Sequence, residues 1–136
     1  MRRRGILLLG GVLLPATARA MTPCEPGTRA GVLAELRFGL LLPNGDDVTD
    51  AQWRTFRSDI LDPVLRSRIT ERDEPPVTRP RPQRIRAVFA EVRASWSPDA
   101  PPALPPEVQS VIRAWTARFP EAPVEARLLP VCIAVR

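Results

Sequence analysis

QRIRAVFAEVRASW, residues Gln83 to Trp96, admits two incompatible readings. Ile85, Val88, Phe89, Val92 and Trp96 fall at i, i+3, i+4, i+7 and i+11, the stripe of an amphipathic helix. Yet Ile85-Ala87-Phe89 and Val88-Ala90-Val92 are both apolar, as in a strand buried on both faces. Periodicity alone favours the helix. As a strand, the same residues would form part of the sheet of an α+β domain.

The flanking segments are easier to read. Glu74 to Pro82 holds Pro75, Pro76, Pro80 and Pro82, and Ser97 to Pro106 holds Pro98, Pro101, Pro102, Pro105 and Pro106. Proline lacks an N–H and fixes φ, so both stretches are expected to be extended connectors. Glu107 to Phe119 predicts a helix, with Val108, Val111, Ile112, Trp115 and Phe119 on one face and Pro120 ending it. Val124 to Leu128 and Val131 to Val135 read as strand, interrupted by Pro130, which suggests an edge position or a bulge. Upstream, Leu65 to Arg72 gives weak support for a strand.

Thr49 and Gln52 have the spacing of a capping box, and Val48 and Trp53 that of a hydrophobic staple. Trp53, Phe56, Ile60 and Val64 continue at helical spacing, and Pro63 is expected to end this helix at about Leu61 or Asp62. Pro43 to Asp47 predicts a turn. Gly31 to Leu42 predicts the first strand, with Glu35 and Arg37 on one side, Leu36 and Phe38 on the other, and Gly39 a candidate bulge.

The first twenty residues read as a bacterial export signal. Arg2, Arg3 and Arg4 precede the apolar run Gly5 to Leu14, and Ala18-Arg19-Ala20 supplies a small-x-small cleavage pattern. The run is too short for a membrane span, which needs about 20 apolar residues. The expected organisation is a signal peptide over 1–20, an N-terminal segment over 21–30, and one α+β domain over 31–136. Cleavage near Ala20 would leave a periplasmic or secreted protein with no stable membrane span. The sequence carries 20 basic and 15 acidic residues. Four of the arginines lie in the signal, so the mature chain has 16 basic residues against 15 acidic and a net charge of +1. That gives no field for attracting nucleic acid.

Cys24 and Cys132 are the only cysteines. In an oxidising compartment such a pair is expected to form a disulfide, the alternative being two free thiols. This bridge would tie the N-terminal segment to the last strand.

The missing residue types narrow the chemistry. The chain has no histidine, lysine or tyrosine. Serine–histidine and cysteine–histidine catalysis, histidine metal sites, Schiff bases and P-loop phosphate binding are therefore excluded. Asn44, Asp46, Asp47 and Asp50 faintly suggest a calcium loop, but Thr49 and Thr55 stand where glycine and glutamate are required. No catalytic, cofactor-binding or metal-binding residue is assigned, and no cofactor is expected. Arg79, Arg81, Arg84 and Arg86 read as a solvated basic connector. Of the three tryptophans, Trp53 and Trp115 fall on core faces, and Trp96 is the one expected to be exposed.

Four stretches are jointly informative: AELRFGL (Ala34 to Leu40), VTDAQWRTF (Val48 to Phe56), IRAWTARF (Ile112 to Phe119) and PVCIAV (Pro130 to Val135). In this order they resemble a family of small exported bacterial proteins catalogued as domain of unknown function 3574. The resemblance spans about Leu33 to Val135. It implies an α+β, ferredoxin-like β-α-β-β-α-β sandwich, with two helices on one face of an antiparallel sheet. It would make Gln83 to Arg93 a strand, overruling the helical stripe, and it implies no activity. The chain departs from the family pattern in two places. Arg37 stands where an aromatic is usual, and the proline-rich Pro75 to Pro82 replaces a glycine-rich hairpin.

The functional expectation is a non-catalytic exported module that binds a protein or small ligand in the cell envelope, or pairs with a second copy as a homodimer. Glu35, Arg37 and Trp96 are the candidate ligand or partner surface. The alternative is a small periplasmic enzyme using carboxylate and arginine chemistry in a cleft over the sheet. A pocket holding a buried carboxylate would favour the enzyme, and a flat apolar patch would favour association.

Overall fold

The computed structural model describes residues 22–75 and 83–135. The expected signal peptide, Arg79 and Arg81 lie outside the described residues. The fold is α+β. Strand β1 (Thr28–Gly39) is followed by α1 (Asp50–Phe56), a π-helical stretch (Arg57–Leu61) and α2 (Asp62–Leu65). Then come β2 (Ile69–Asp73), β3 (Ile85–Val92), α3 (Pro106–Arg118) and β4 (Val124–Ala134). The four strands form one antiparallel sheet in the order β2-β3-β1-β4. Among the described residues, no helix is long and apolar enough to cross a membrane.

The disputed segment is a strand. β3 pairs with β1 on one side and β2 on the other, and Ala87, Val88, Ala90 and Val92 are all buried. Burial of residues on both sides of a central strand explains the helix-like stripe, because a strand largely apolar on both faces satisfies either period.

One face of the sheet carries the core. Val32, Ala34, Leu36 and Phe38 of β1 and Val88, Ala90 and Val92 of β3 pack against Trp53, Phe56, Leu61, Leu65, Val108, Val111 and Trp115 from the helical segments. Phe38 sits at the centre, with ring centroids 5.2 Å from Trp53, 5.9 Å from Phe56 and 4.8 Å from Trp115, all edge-to-face. Burying each such side chain contributes roughly 1.5–3 kcal/mol, and edge-to-face contact adds to that.

The predicted capping box is present. Gln52 N–H donates to Thr49 Oγ1 at 3.1 Å, and Thr49 N–H donates to Gln52 Oε1 at 2.9 Å. Pro63 does not end the helix, contrary to the sequence expectation. Hydrogen bonding switches to the wider π pattern over Arg57–Leu61, with Asp62 N–H donating to Arg57 O, and Pro63 starts the next turn. An α-helical proline clashes with the carbonyl four residues back, and one π turn changes which carbonyl lies there. The helix closes two residues after Val64, where Arg66 takes a left-handed conformation with φ 53°.

Three strand expectations are also revised. β1 begins at Thr28, because β4 extends far enough to pair Ala134 with it. Gly39 is no bulge: it pairs regularly with Ile85. Glycine is needed there because a Cβ would lie 2.5 Å from Pro123 Cγ. The last strand is continuous through Pro130 and lies at a sheet edge, where a missing donor is tolerated.

Cys24 and Cys132, 108 positions apart, form a disulfide. It ties the segment preceding β1 to β4 and points to an oxidising compartment.

Candidate functional site

The helices cover one face of the sheet. The other face is formed by the alternate residues of each strand, and Glu35 and Arg37 both lie on it. β1 and β4 each carry a Glu-x-Arg triplet, Glu35-Leu36-Arg37 and Glu125-Ala126-Arg127. Their antiparallel register sets Arg37 opposite Glu125 and Glu35 opposite Arg127. The same triplet on both strands thus makes two opposite-charge cross-strand pairs.

Glu35 is buried, with 7 % of its surface exposed. Arg127 Nη2 lies 3.0 Å from its Oε1. Arg37 makes a forked contact with Glu74, Nη2 to Oε1 at 2.6 Å and Nε to Oε1 at 3.2 Å, and its Nη1 is 3.7 Å from Glu125. The hydrogen bond from Arg37 holds the Glu74 carboxyl below its ordinary range, against the opposing effect of burial. In turn, the bond to Glu74 raises the Arg37 guanidinium above its ordinary value. Arg29 Nη2 is 3.0 Å from Glu91 Oε2, and the Arg72 guanidinium stacks 5.2 Å over the ring of Phe89.

Counting the groups on this face, Arg29, Arg37, Arg72 and Arg127 balance Glu35, Glu74, Glu91 and Glu125. Half-buried Leu33, Phe89, Leu129, Val131 and Ile133 fill the space between and beyond the charges. A Cβ on Gly31 would collide with the Ile133 side chain, and one on Gly39 with the Pro123 ring. Both glycines thus let side chains from the β4 side lie over β1, which levels the face.

Trp96 is not on this surface and is not exposed, which corrects the sequence expectation. It retains 8 % of its surface and belongs to the core. Its indole N–H donates to Gly31 O at 2.7 Å and lies 3.2 Å from Val131 O. Gly31 and Val131 face each other across β1 and β4, and a buried indole N–H needs such an acceptor.

The described clefts lie away from Glu35 and Arg37, although Arg72 borders one of them. That one, about 410 Å³, is lined by Asp50, Trp53, Arg54, Glu71, Arg72, Asp73 and Arg86. Its charges are largely paired: Arg86 is 2.8 Å from Asp73 and stacks 5.2 Å over Trp53, while Trp53 Nε1 donates to Glu71 at 3.3 Å. The bond from Arg86 keeps Asp73 below its ordinary value. Of five clefts among the described residues, none is lined by Glu35 or Arg37. The described residues contain no cluster of metal-ligating side chains, and the Asn44–Asp50 oxygens serve the turn and helix, with Asp46 N–H donating to Asn44 Oδ1 at 3.0 Å.

Arg72, Glu74, Phe89, Glu125 and Arg127 were not identified from the sequence as parts of this face. The repeated Glu-x-Arg triplet was the available signal for Glu125 and Arg127. Comparison with known proteins adds no constraint: no family profile, no curated protein and no solved structure matches the chain.

Proposed function

We propose that this chain is an exported module that works by association through the helix-free face of its sheet. The observation that carries this reading is the face itself. Among the described residues it is charge-balanced, with an apolar strip, and neither Glu35 nor Arg37 lines one of the five clefts described above. A neutral surface of mixed sign offers little to a polyanion and no enclosed volume to a small substrate, but it suits another protein surface.

The order β4-β1-β3-β2 with helices on one side supports a ferredoxin-like arrangement, in which β1 and β2 run parallel on either side of β3. That arrangement, and β3 as a strand, agree with what the resemblance to domain of unknown function 3574 implies. The disulfide and the leader-like first twenty residues support a periplasmic or secreted location after cleavage near Ala20. The catalytic alternative draws on one observation, the buried carboxylate of Glu35. Its pairing with Arg127 weighs against it.

Two measurements test this reading. The protein recovered from the envelope of an exporting bacterium should have a mass beginning at Met21 and lacking the two thiol hydrogens. A photo-crosslinking residue at Leu129, on the open face, should then give adducts in intact cells. The same residue at Gln109, on the exposed side of α3, should give none. A precursor mass with free thiols would overturn the export reading, and equal labelling at both positions would overturn the choice of face.

A further inference from the structure

We infer that the partner of the open face is a second copy of this chain, stacked face to face as a two-fold homodimer. This rests on the association reading above and names its occupant.

The register supplies the argument. Arg72 pairs with Ala87, Ala87 with Arg37, and Arg37 with Glu125. These four residues therefore form one row across the sheet, from edge strand β2 to edge strand β4. A two-fold axis parallel to the strands, between β3 and β1, lays β2 of one copy over β4 of the other. It places Arg72 opposite Glu125 of the second copy, and the symmetry makes this contact twice. Within the same row, Arg37 comes to lie opposite the buried Ala87 of the second copy.

Both outer residues are exposed. Arg72 is exposed, with its guanidinium stacked on Phe89, and the Glu125 side chain is 68 % exposed and only 3.7 Å from Arg37 as an internal partner. Along this row a rotated copy supplies the reversed order of charges. The size also fits. Strands of 12, 8, 5 and 11 residues, at ~4.8 by ~3.3 Å per residue, cover roughly 570 Å² per copy and about 1,100 Å² for the pair. That meets the ~1,000 Å² expected of a specific interface, at the weak end where micromolar dissociation is common.

The test is sedimentation velocity on the full chain with its disulfide intact, over a concentration series. The wild type should dimerise with a Kd in the micromolar range. Arg72→Glu and Glu125→Arg should each raise Kd by about tenfold or more, because each sets like charges opposite one another twice. The combined Arg72→Glu/Glu125→Arg variant should return to within about threefold of wild type, and Leu33→Glu should abolish the dimer. Near-UV circular dichroism and the oxidised mass would show that each variant is folded. A monomer at every concentration, a double variant no tighter than the singles, or a dimer indifferent to Leu33→Glu would each overturn the inference. If the chain is monomeric but Leu129 still crosslinks to a different envelope protein, the association reading stands and the homodimer falls.

Discussion

The indole N–H of Trp96 is shared between the carbonyls of Gly31 and Val131, one on each of two adjacent strands. Replacing Trp96 with Phe keeps most of the apolar contact and removes the donor. The expected loss is about 0.5–1.5 kcal/mol in urea unfolding, the net worth of one buried hydrogen bond. A loss within experimental error would mean that packing alone fixes this residue. The Arg37–Glu74 pair makes a separate prediction about pH. The folded Glu74 carboxyl titrates below its ordinary value, so its contribution is complete above the usual carboxylate range and disappears as pH falls through the lowered folded value. Asp73, held by Arg86, has the same sign. Stability should therefore be nearly flat above pH ~5 and decline below it. Arg37→Met should cost up to about 1 kcal/mol at neutral pH and converge with the wild type in acid, given that the pair is partly solvated. Parallel stability curves for the two proteins would refute this assignment.

The entry to α1 was legible in the chain because its cap is made by residues three positions apart. Thr49→Ala should destabilise the protein by about 0.5–2 kcal/mol in urea unfolding, whereas Thr49→Ser should be nearly neutral. The exit was not legible. Pro63 is a reliable local stop signal for an α-helix, but the π turn before it let the helix continue to Leu65. β3 shows the same division from another side. Its alternation was visible, yet a segment apolar on both faces has no single period, so only pairing with β1 and β2 resolves it as a strand. The partners of Glu35 and Arg37 likewise became apparent only with the β1–β4 register, although both Glu-x-Arg triplets were present in the chain.

For the molecule as a whole, the Cys24–Cys132 bridge spans 108 positions and joins the two ends of the described fold. Closing so long a loop restricts the unfolded chain by up to ~4.7 kcal/mol in the chain-entropy argument, and measured gains are commonly ~2–4 kcal/mol. Reduction, or paired Cys24→Ser/Cys132→Ser replacement, should lower the urea midpoint by a corresponding amount without changing the sheet. A midpoint unaffected by reductant would show that the ends are held by strand pairing alone. The π turn, not the sequence, set Leu61 and Leu65 in the core in place of the expected Ile60 and Val64. By itself, the sequence determined the helix cap, the core face of α3, the restriction of Pro130 to an edge or a bulge, and the cysteine pair. Each of these follows from spacing within one segment or from having only one available partner. The tertiary structure decided the strand at Ile85–Val92, the passage of the helix through Pro63, the burial of Trp96 and the balanced helix-free face. Those depend on which distant backbone or charge lies opposite, and strand pairing sets this only once the whole sheet has closed.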